Sequence, residues 1–243
     1  MKKIINCICE NYIIFCIYAL IGWIYEVSWF LIVRNKFVNR GVLFGPFLPI
    51  YGFGVLILLL FLKRFISKKH LASNTIYTSI SVFIIVTFIY TTIIEYTTPK
   101  IYNVMYYLKN YGLYLVIINI ISIILVNILI KKFNKLKNID TTIILLFLLI
   151  WIITTLVEYI GHYIIDVKYN KLLWDYSKDF LNINRRVNWD ASRNFAIGGT
   201  LLLSTVQPLL NKLFNKINLN KKVIISLILG IPMLIDLILN VIL

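Results

Sequence analysis

Charge is scarce in this chain: Asp, Glu, Lys and Arg make up only 14% of its 243 residues, and ten acids face 25 bases. Three cysteines, Cys7, Cys9 and Cys16, sit together at or before the first apolar run, too few and too local for a disulfide framework. With no His or further Cys near them they read as small apolar residues, and neither a metal nor a cofactor is expected. There is no Gly-x-x-x-x-Gly-Lys-[Ser/Thr] stretch, so the chain does not cradle ATP by a phosphate loop. There is no Gly-x-Ser-x-Gly elbow and no His-Glu-x-x-His pair, which leaves soluble-type hydrolase chemistry unsupported. Nor does a Pro-rich or Gly/Ser-rich linker divide the chain, so a single transmembrane domain, 1–243, is expected.

What the sequence has instead is apolar length. Hydrophobic residues are 60% of the total, against ~45–50% in soluble domains. Runs such as Asn11 to Val33, Thr75 to Tyr96, Tyr111 to Ile130 and Thr141 to Gly161 approach the ~20 residues that cross a bilayer. An all-α, polytopic membrane helix bundle follows, with about seven spans near 11–33, 42–62, 75–97, 111–130, 141–161, 191–212 and 223–243. Lys2 and Lys3 precede a run too long for a cleaved signal and without a small-residue cleavage site, so that run should stay as an anchor.

The net charge of +15 lies in short clusters between the apolar runs and not along an aromatic-interleaved stripe, which speaks against a nucleic-acid partner. Lys2/Lys3, Lys63/Arg64/Lys68/Lys69, Lys131/Lys132/Lys135/Lys137 and Lys212/Lys216/Lys221/Lys222 fall on one side with almost no acid beside them. The positive-inside rule puts that side, and the N-terminus, in the cytoplasm of a multi-pass cell-membrane protein whose solvent is the lipid bilayer. The segment 162–190, mixed in charge and rich in Tyr, Trp and Asn, then reads as a structured outer loop or surface helix.

Two spans carry breaks. Gly45-Pro46 and Pro49 to Gly54 interrupt the second, and Ser192-Arg193-Asn194 blunts the sixth, so either could be re-entrant. A broken span points to a binding site, because backbone groups freed at membrane depth must meet protein, water or ligand; a tight helix-packing corner accounts for the same glycines. Gly230-Ile231-Pro232 predicts a kink in the seventh. Thr91-Thr92-Ile93-Ile94-Glu95-Tyr96 echoes Thr154-Thr155-Leu156-Val157-Glu158-Tyr159, and Asn39-Arg40-x-Val42 echoes Asn184-Arg185-x-Val187. Shared Ile-rich composition or a parallel internal repeat, with halves 11–62 and 141–212, would each produce these echoes.

Acids inside spans are the sharpest chemical signal, since a carboxylate at the bilayer centre costs roughly 2.5–3.5 kcal/mol on insertion scales. Glu26, Glu95, Glu158 and Asp236 qualify, all toward the outer ends in this topology. They either line a polar outward-facing cavity or pair with Arg40, Arg185 or Arg186 and lock helices together. Thr87, Thr91 and Glu95 share a helix face, as do Trp151, Thr155, Glu158 and His162. His162 is a solvated or hydrogen-bonded residue or a proton relay beside Glu158. Trp174-Asp175-Tyr176-Ser177 suits headgroup-level anchoring or binding, with Asp175 near the two arginines as an ion-pair candidate. The expected substrate-binding set is Glu26, Arg40, Glu158, Trp174, Asp175, Tyr176, Asn184 and Arg186.

Gly22-Trp23-Ile24-Tyr25-Glu26, Asn39-Arg40-Gly41, Gly45-Pro46 and Pro49-Ile50-Tyr51-Gly52-Phe53-Gly54 resemble the CmpB-type ABC-transporter (type IV) membrane protein family. Glu158-Tyr159-Ile160-Gly161, Trp174 to Ser177, Asn182-Ile183-Asn184, Arg186-Val187 and Gln207-Pro208 extend the likeness in the same order over most of the chain. Two departures stand out: Arg185 occupies a place where the family usually has glycine, and the stretch from Thr75 to Asp140 is longer than the usual connection. The resemblance implies a transporter permease that would work with a separate cytoplasmic ATPase subunit, and it carries over no catalytic residue. Two other readings remain open from the residues: a membrane-embedded enzyme acting on a lipid or lipid-linked substrate, with Glu26 or Glu158 as base and an arginine on phosphate, and a non-catalytic scaffold.

Overall fold

A computed structural model describes residues 2–41, 43–66, 68–98, 100–169 and 174–242. The echo position Val42 and the outer-loop residues Asn170–Leu173 lie outside the described residues. The fold is all-α: α1 (Lys2–Arg34), α2 (Pro49–Ile66), α3 (Thr75–Thr97), α4 (Val104–Lys132), α5 (Thr142–Tyr169), α6 (Trp189–Leu201), a π-helical turn (Leu202–Val206), α7 (Gln207–Lys216) and α8 (Leu219–Ile242), with a 3₁₀ turn at Asn134–Asn138. Asparagines start four of these helices: the side chains of Asn74, Asn103, Asn188 and Asn218 accept from the amides of Ile76, Met105, Ala191 and Lys221, satisfying first-turn donors that would otherwise be orphaned.

Among the described residues four helices are long and apolar enough to cross a membrane: Lys2–Ile32, Thr75–Thr97, Val104–Lys132 and Thr142–Val167. At 1.5 Å per residue, even the 23 residues of α3 reach ~35 Å, past the ~30 Å hydrocarbon core. Pro49–Leu62 is shorter. The expected second span is thus helical only from Pro49: the break read at Gly45-Pro46 falls in the non-helical stretch 43–48, whereas Pro49 to Gly54, also read as an interruption, forms the regular first turns of α2. The first helix begins well before residue 11 and carries Lys2, Lys3 and the three free cysteines within it, Cys7 exposed and the other two buried.

Contacts gather into two compact units, Met1–Phe61 with Thr205–Leu243 and Leu62–Ser204. In the first unit α1 packs along α8. Phe15, Cys16, Leu43 and Met233 form a buried cluster. The backbone of α2 comes so close to α1 that a Cβ at Gly52 would stand 2.7 Å from the Phe15 carbonyl oxygen. Tyr18, 1% exposed, donates to Gln207 Oε1 at 3.2 Å, and Lys222 donates to Glu10 and Asn6 while 5% exposed. Buried polar pairs of this kind tie helices to one another.

In the second unit α3 and α4 form a hairpin tied by Thr91 to Tyr107 (3.0 Å), Asn119 to Thr87 (3.2 Å) and Asn127 to Ser79 (3.1 Å). The Thr87–Thr91 face predicted from spacing is therefore a helix-packing seam. In α5 the Trp151 ring sits among Phe88, Phe147 and Trp189, with centroids 4.9 to 6.1 Å away. At Gly199 of α6 a Cβ would lie 2.7 Å from Ile150, so small residues again allow close approach of two helices. The connection before α3 pairs with that before α5: Ala72 N–H donates to Ile139 O, Thr141 N–H to His70 O, and His70 N–H to Thr142 Oγ1.

Candidate functional site

The polar residues singled out by sequence fall into local clusters, each inside one unit. In the first unit Glu26 lies on α1, and the chain returns from Asn35, at φ +48°, through an extended stretch to Gly41 at φ +94°. A side chain is strained at that φ, and a Cβ there would also meet Leu48 Cδ2 at 2.3 Å. This return places Arg40 Nε 3.0 Å from Glu26 Oε2, while Tyr51 of α2 donates its hydroxyl to Glu26 Oε1 at 3.0 Å. Arg40 also stacks over the Phe30 ring at 4.3 Å. Both charged side chains are partly open, 24% exposed for Glu26 and 32% for Arg40. Trp23 donates to Asn39 Oδ1, and the Asn39 amide donates onward to the carbonyls of Leu43 and Phe44, so the quoted motif residues brace the return itself.

In the second unit Glu158, His162 and Asp166 recur every four residues on one face of α5. Glu158 is 4% exposed and His162 fully buried. The 174–188 segment folds over this stripe. Tyr176 donates to Glu158 Oε1 at 3.5 Å; the Trp174 ring meets His162 edge-on at 4.8 Å, and its indole N–H donates to the Arg186 carbonyl at 2.8 Å. Arg186 pairs with Asp166 at 2.7 Å and lies over the rings of Tyr159 and Tyr163, 5.7 and 5.1 Å from their centroids. Asn184 donates to the Tyr159 hydroxyl at 2.8 Å. The segment is pinned to the α3–α4 connection by Leu181 N–H to Ile101 O and Asn182 N–H to Tyr102 O, as expected for a structured loop; α5 itself continues to Tyr169.

The partner of Arg186 is Asp166, which sequence reasoning had placed only within a loop. Asp175 instead accepts from the Ser177 amide at 2.9 Å, a bond that holds its carboxyl below the usual carboxylate range. Hydrogen bonding to Asp166 correspondingly raises the Arg186 guanidinium. Arg185 has φ +57° and Asn184 φ +49°, the left-handed region where glycine sits without cost. That conformation gives a physical reason for glycine at the Arg185 position in the family pattern. The two Asn-Arg echoes do not share backbone geometry, since the left-handed residue of the first is Gly41 and those of the second are Asn184 and Arg185.

Glu95 joins neither cluster. It accepts from Arg193 at 2.9 Å, and Arg193 also pairs with Asp190. Arg193, read in the sequence only as a blunt helix start, is thus the partner of a span acid. The Glu10–Lys222 pair is not legible from the sequence either: Lys222 reads as a topology signal, and Glu10 lies just outside the expected first span. Spacing alone puts Glu158 and His162 on one face, and the i, i+8 spacing of Glu158 and Asp166 is the signal that extends the stripe to Asp166. Among the described residues no group of His, Cys, Asp or Glu is arranged to hold a metal.

A search of curated proteins and one of solved structures gave no match. A family model described as "Putative ABC-transporter type IV" matches residues 13–110 and 104–241, taking in α1 from residue 13, both clusters and nearly all of α8. The chain, with its several bilayer-length apolar helices, belongs to that family.

Proposed function

We propose that the protein is the membrane-spanning, permease-like component of an ABC transporter, with its N-terminus in the cytoplasm and its polar recognition elements at the outer ends of α1 and α5. In this reading α2, the α6–α7 region and α8 complete about seven crossings, the stretch 43–48 makes the second a broken one, and 24 residues give α8 the length to span. The observation that carries the reading is the family membership of a chain that places acid–base pairs, Glu26–Arg40 and Asp166–Arg186, beside non-helical returns. Charged groups at such positions are expensive in lipid and are kept where they contact a solute or water path. Glu26, Arg40, Glu158, Trp174, Asp175, Tyr176, Asn184 and Arg186 are the proposed substrate contacts. Both halves run from a long helix bearing a glutamate, through an Asn-Arg segment whose backbone geometry differs between them, to a glycine-bearing helix, and this common order of elements is what supports a parallel repeat of 11–62 and 141–212.

In this reading ATP hydrolysis belongs to a separate subunit, because the sequence carries no phosphate loop. The test is affinity purification of the full chain from its native membranes, followed by reconstitution with the ATPase that co-purifies. Solute-dependent stimulation of hydrolysis that falls in Glu26→Gln and Arg186→Lys supports a permease. A folded chain that recruits no ATPase, or variants that leave stimulation untouched, points to a scaffold, and an altered lipid profile on deletion points to a lipid-modifying enzyme.

A further inference from the structure

Asp236 lies in α8, in the last of the proposed spans, and is 8% exposed. Its carboxylate oxygens accept from two consecutive backbone amides, Phe44 at 2.9 Å and Gly45 at 2.6 Å. A Cβ at residue 45 would stand 2.9 Å from Asp236 Oδ2, so the absence of a side chain there lets the carboxylate approach the backbone this closely. Two amides orient an anion, but they bring no positive charge. Among the described residues no Lys, Arg or His pairs with Asp236, although Glu10, Glu26, Glu95, Asp166 and Asp190 each have a basic partner. A carboxylate at membrane depth without a counter-charge is a costly arrangement that a bound cation would relieve.

Beside this carboxylate is an open groove of about 750 Å³ formed by the same loop and the same helix face. Apart from Asp236 and the Gly45 backbone its walls are apolar: Phe44, Pro46, Phe47, Pro232, Ile235 and Leu239. An anion at one wall of an apolar trough fits a ligand with a cationic head and a hydrocarbon tail. We propose that this groove binds an ammonium-headed amphiphile, of the aminophospholipid type, with its amine on Asp236 and an acyl chain along Phe44, Phe47 and Ile235. The site is separate from the Glu26–Arg40 pair; it rests on the proposed reading of α8 as a membrane span and not on transport itself.

The test uses the full chain in dodecylmaltoside micelles with phosphatidylethanolamine and phosphatidylglycerol analogues that carry a photoreactive group on one acyl chain. A charge-assisted contact predicts that the ethanolamine analogue labels residues 44–47 and 232–239 about tenfold more than the glycerol analogue. Asp236→Asn should erase that preference, and Ile235→Trp, which fills the trough without touching the carboxylate, should remove labelling by both. If Asp236→Asn does not fold, Ile235→Trp and competition by tail-less glycerophosphoethanolamine decide the matter: the head alone should compete poorly. Equal labelling by both lipids in the unaltered chain, label placed elsewhere, labelling that survives Ile235→Trp, or full competition by the tail-less head would each overturn the proposal.

Discussion

Arg193 should be the most sensitive charged residue of the second unit, and its removal should cost more than removal of its partner Glu95. Arg193 stands between two carboxylates, Glu95 of α3 and Asp190 of its own helix, and its side chain is 17% exposed against 14% for Glu95. Breaking a fully buried pair by deleting one partner costs roughly 3–5 kcal/mol, whereas an exposed pair is worth ~0–1. At this depth Arg193→Gln should cost about 2–3 kcal/mol, because it leaves two acids facing each other. Glu95→Gln leaves Arg193 paired with Asp190 and should cost about 1–2 kcal/mol. The double variant should fall short of the sum by about 1 kcal/mol or more, since the interaction can be lost only once. Equilibrium unfolding of the four proteins in mixed micelles measures this. Costs that add within ~0.5 kcal/mol, or a Glu95 variant worse than the Arg193 variant, would refute the reasoning.

Three further outcomes follow from backbone and local geometry. Gly52→Ala pushes a methyl against the Phe15 carbonyl and should destabilise the first unit by roughly 1–3 kcal/mol in the same unfolding assay, whereas Gly54→Ala, with nothing within 4 Å, should cost much less. Arg185→Gly relieves the left-handed backbone of a non-glycine residue; against the extra freedom glycine has when unfolded, the net gain should reach at most about 1 kcal/mol, seen as a raised midpoint. Asp175 has a folded pKa below its unfolded value, so its contribution is complete above roughly pH 4 and is lost as pH falls through the lower folded value. The difference in melting temperature between the unaltered chain and Asp175→Asn should therefore be flat from neutral pH to about pH 4 and shrink below it.

Helices were legible in the sequence where apolar length alone decides them. Thr75–Thr97 coincides with the expected bounds because Asn74 caps one end and the run stops at Thr97–Thr98. The helical start at Lys2 was not legible, since polar residues such as Asn6 and Glu10 look like solvent-exposed sequence until Lys222, more than 200 residues away, is brought beside them. The break at Gly45-Pro46 was readable, and Glu26–Arg40 as a candidate pair, because glycine and proline constrain the backbone locally; Pro49 to Gly54 instead turned out helical, since a proline is tolerated in a helix's first turn. Arg186–Asp166 and Arg193–Glu95 were not, because pairing across 20 and 98 residues depends on how helices and loops pack, which local pattern does not encode.

The account turns on the membrane-embedded chain presenting the Glu26–Arg40 return and the 174–188 segment on the extracytoplasmic side. In a background free of Cys7, Cys9 and Cys16, single cysteines at Lys36, Ser177 and Lys135 can be labelled on intact cells with a membrane-impermeant maleimide. The account predicts prompt labelling of Lys36→Cys and Ser177→Cys and none of Lys135→Cys until the membrane is opened. Labelling of Lys135→Cys on intact cells, with the other two protected, would contradict it.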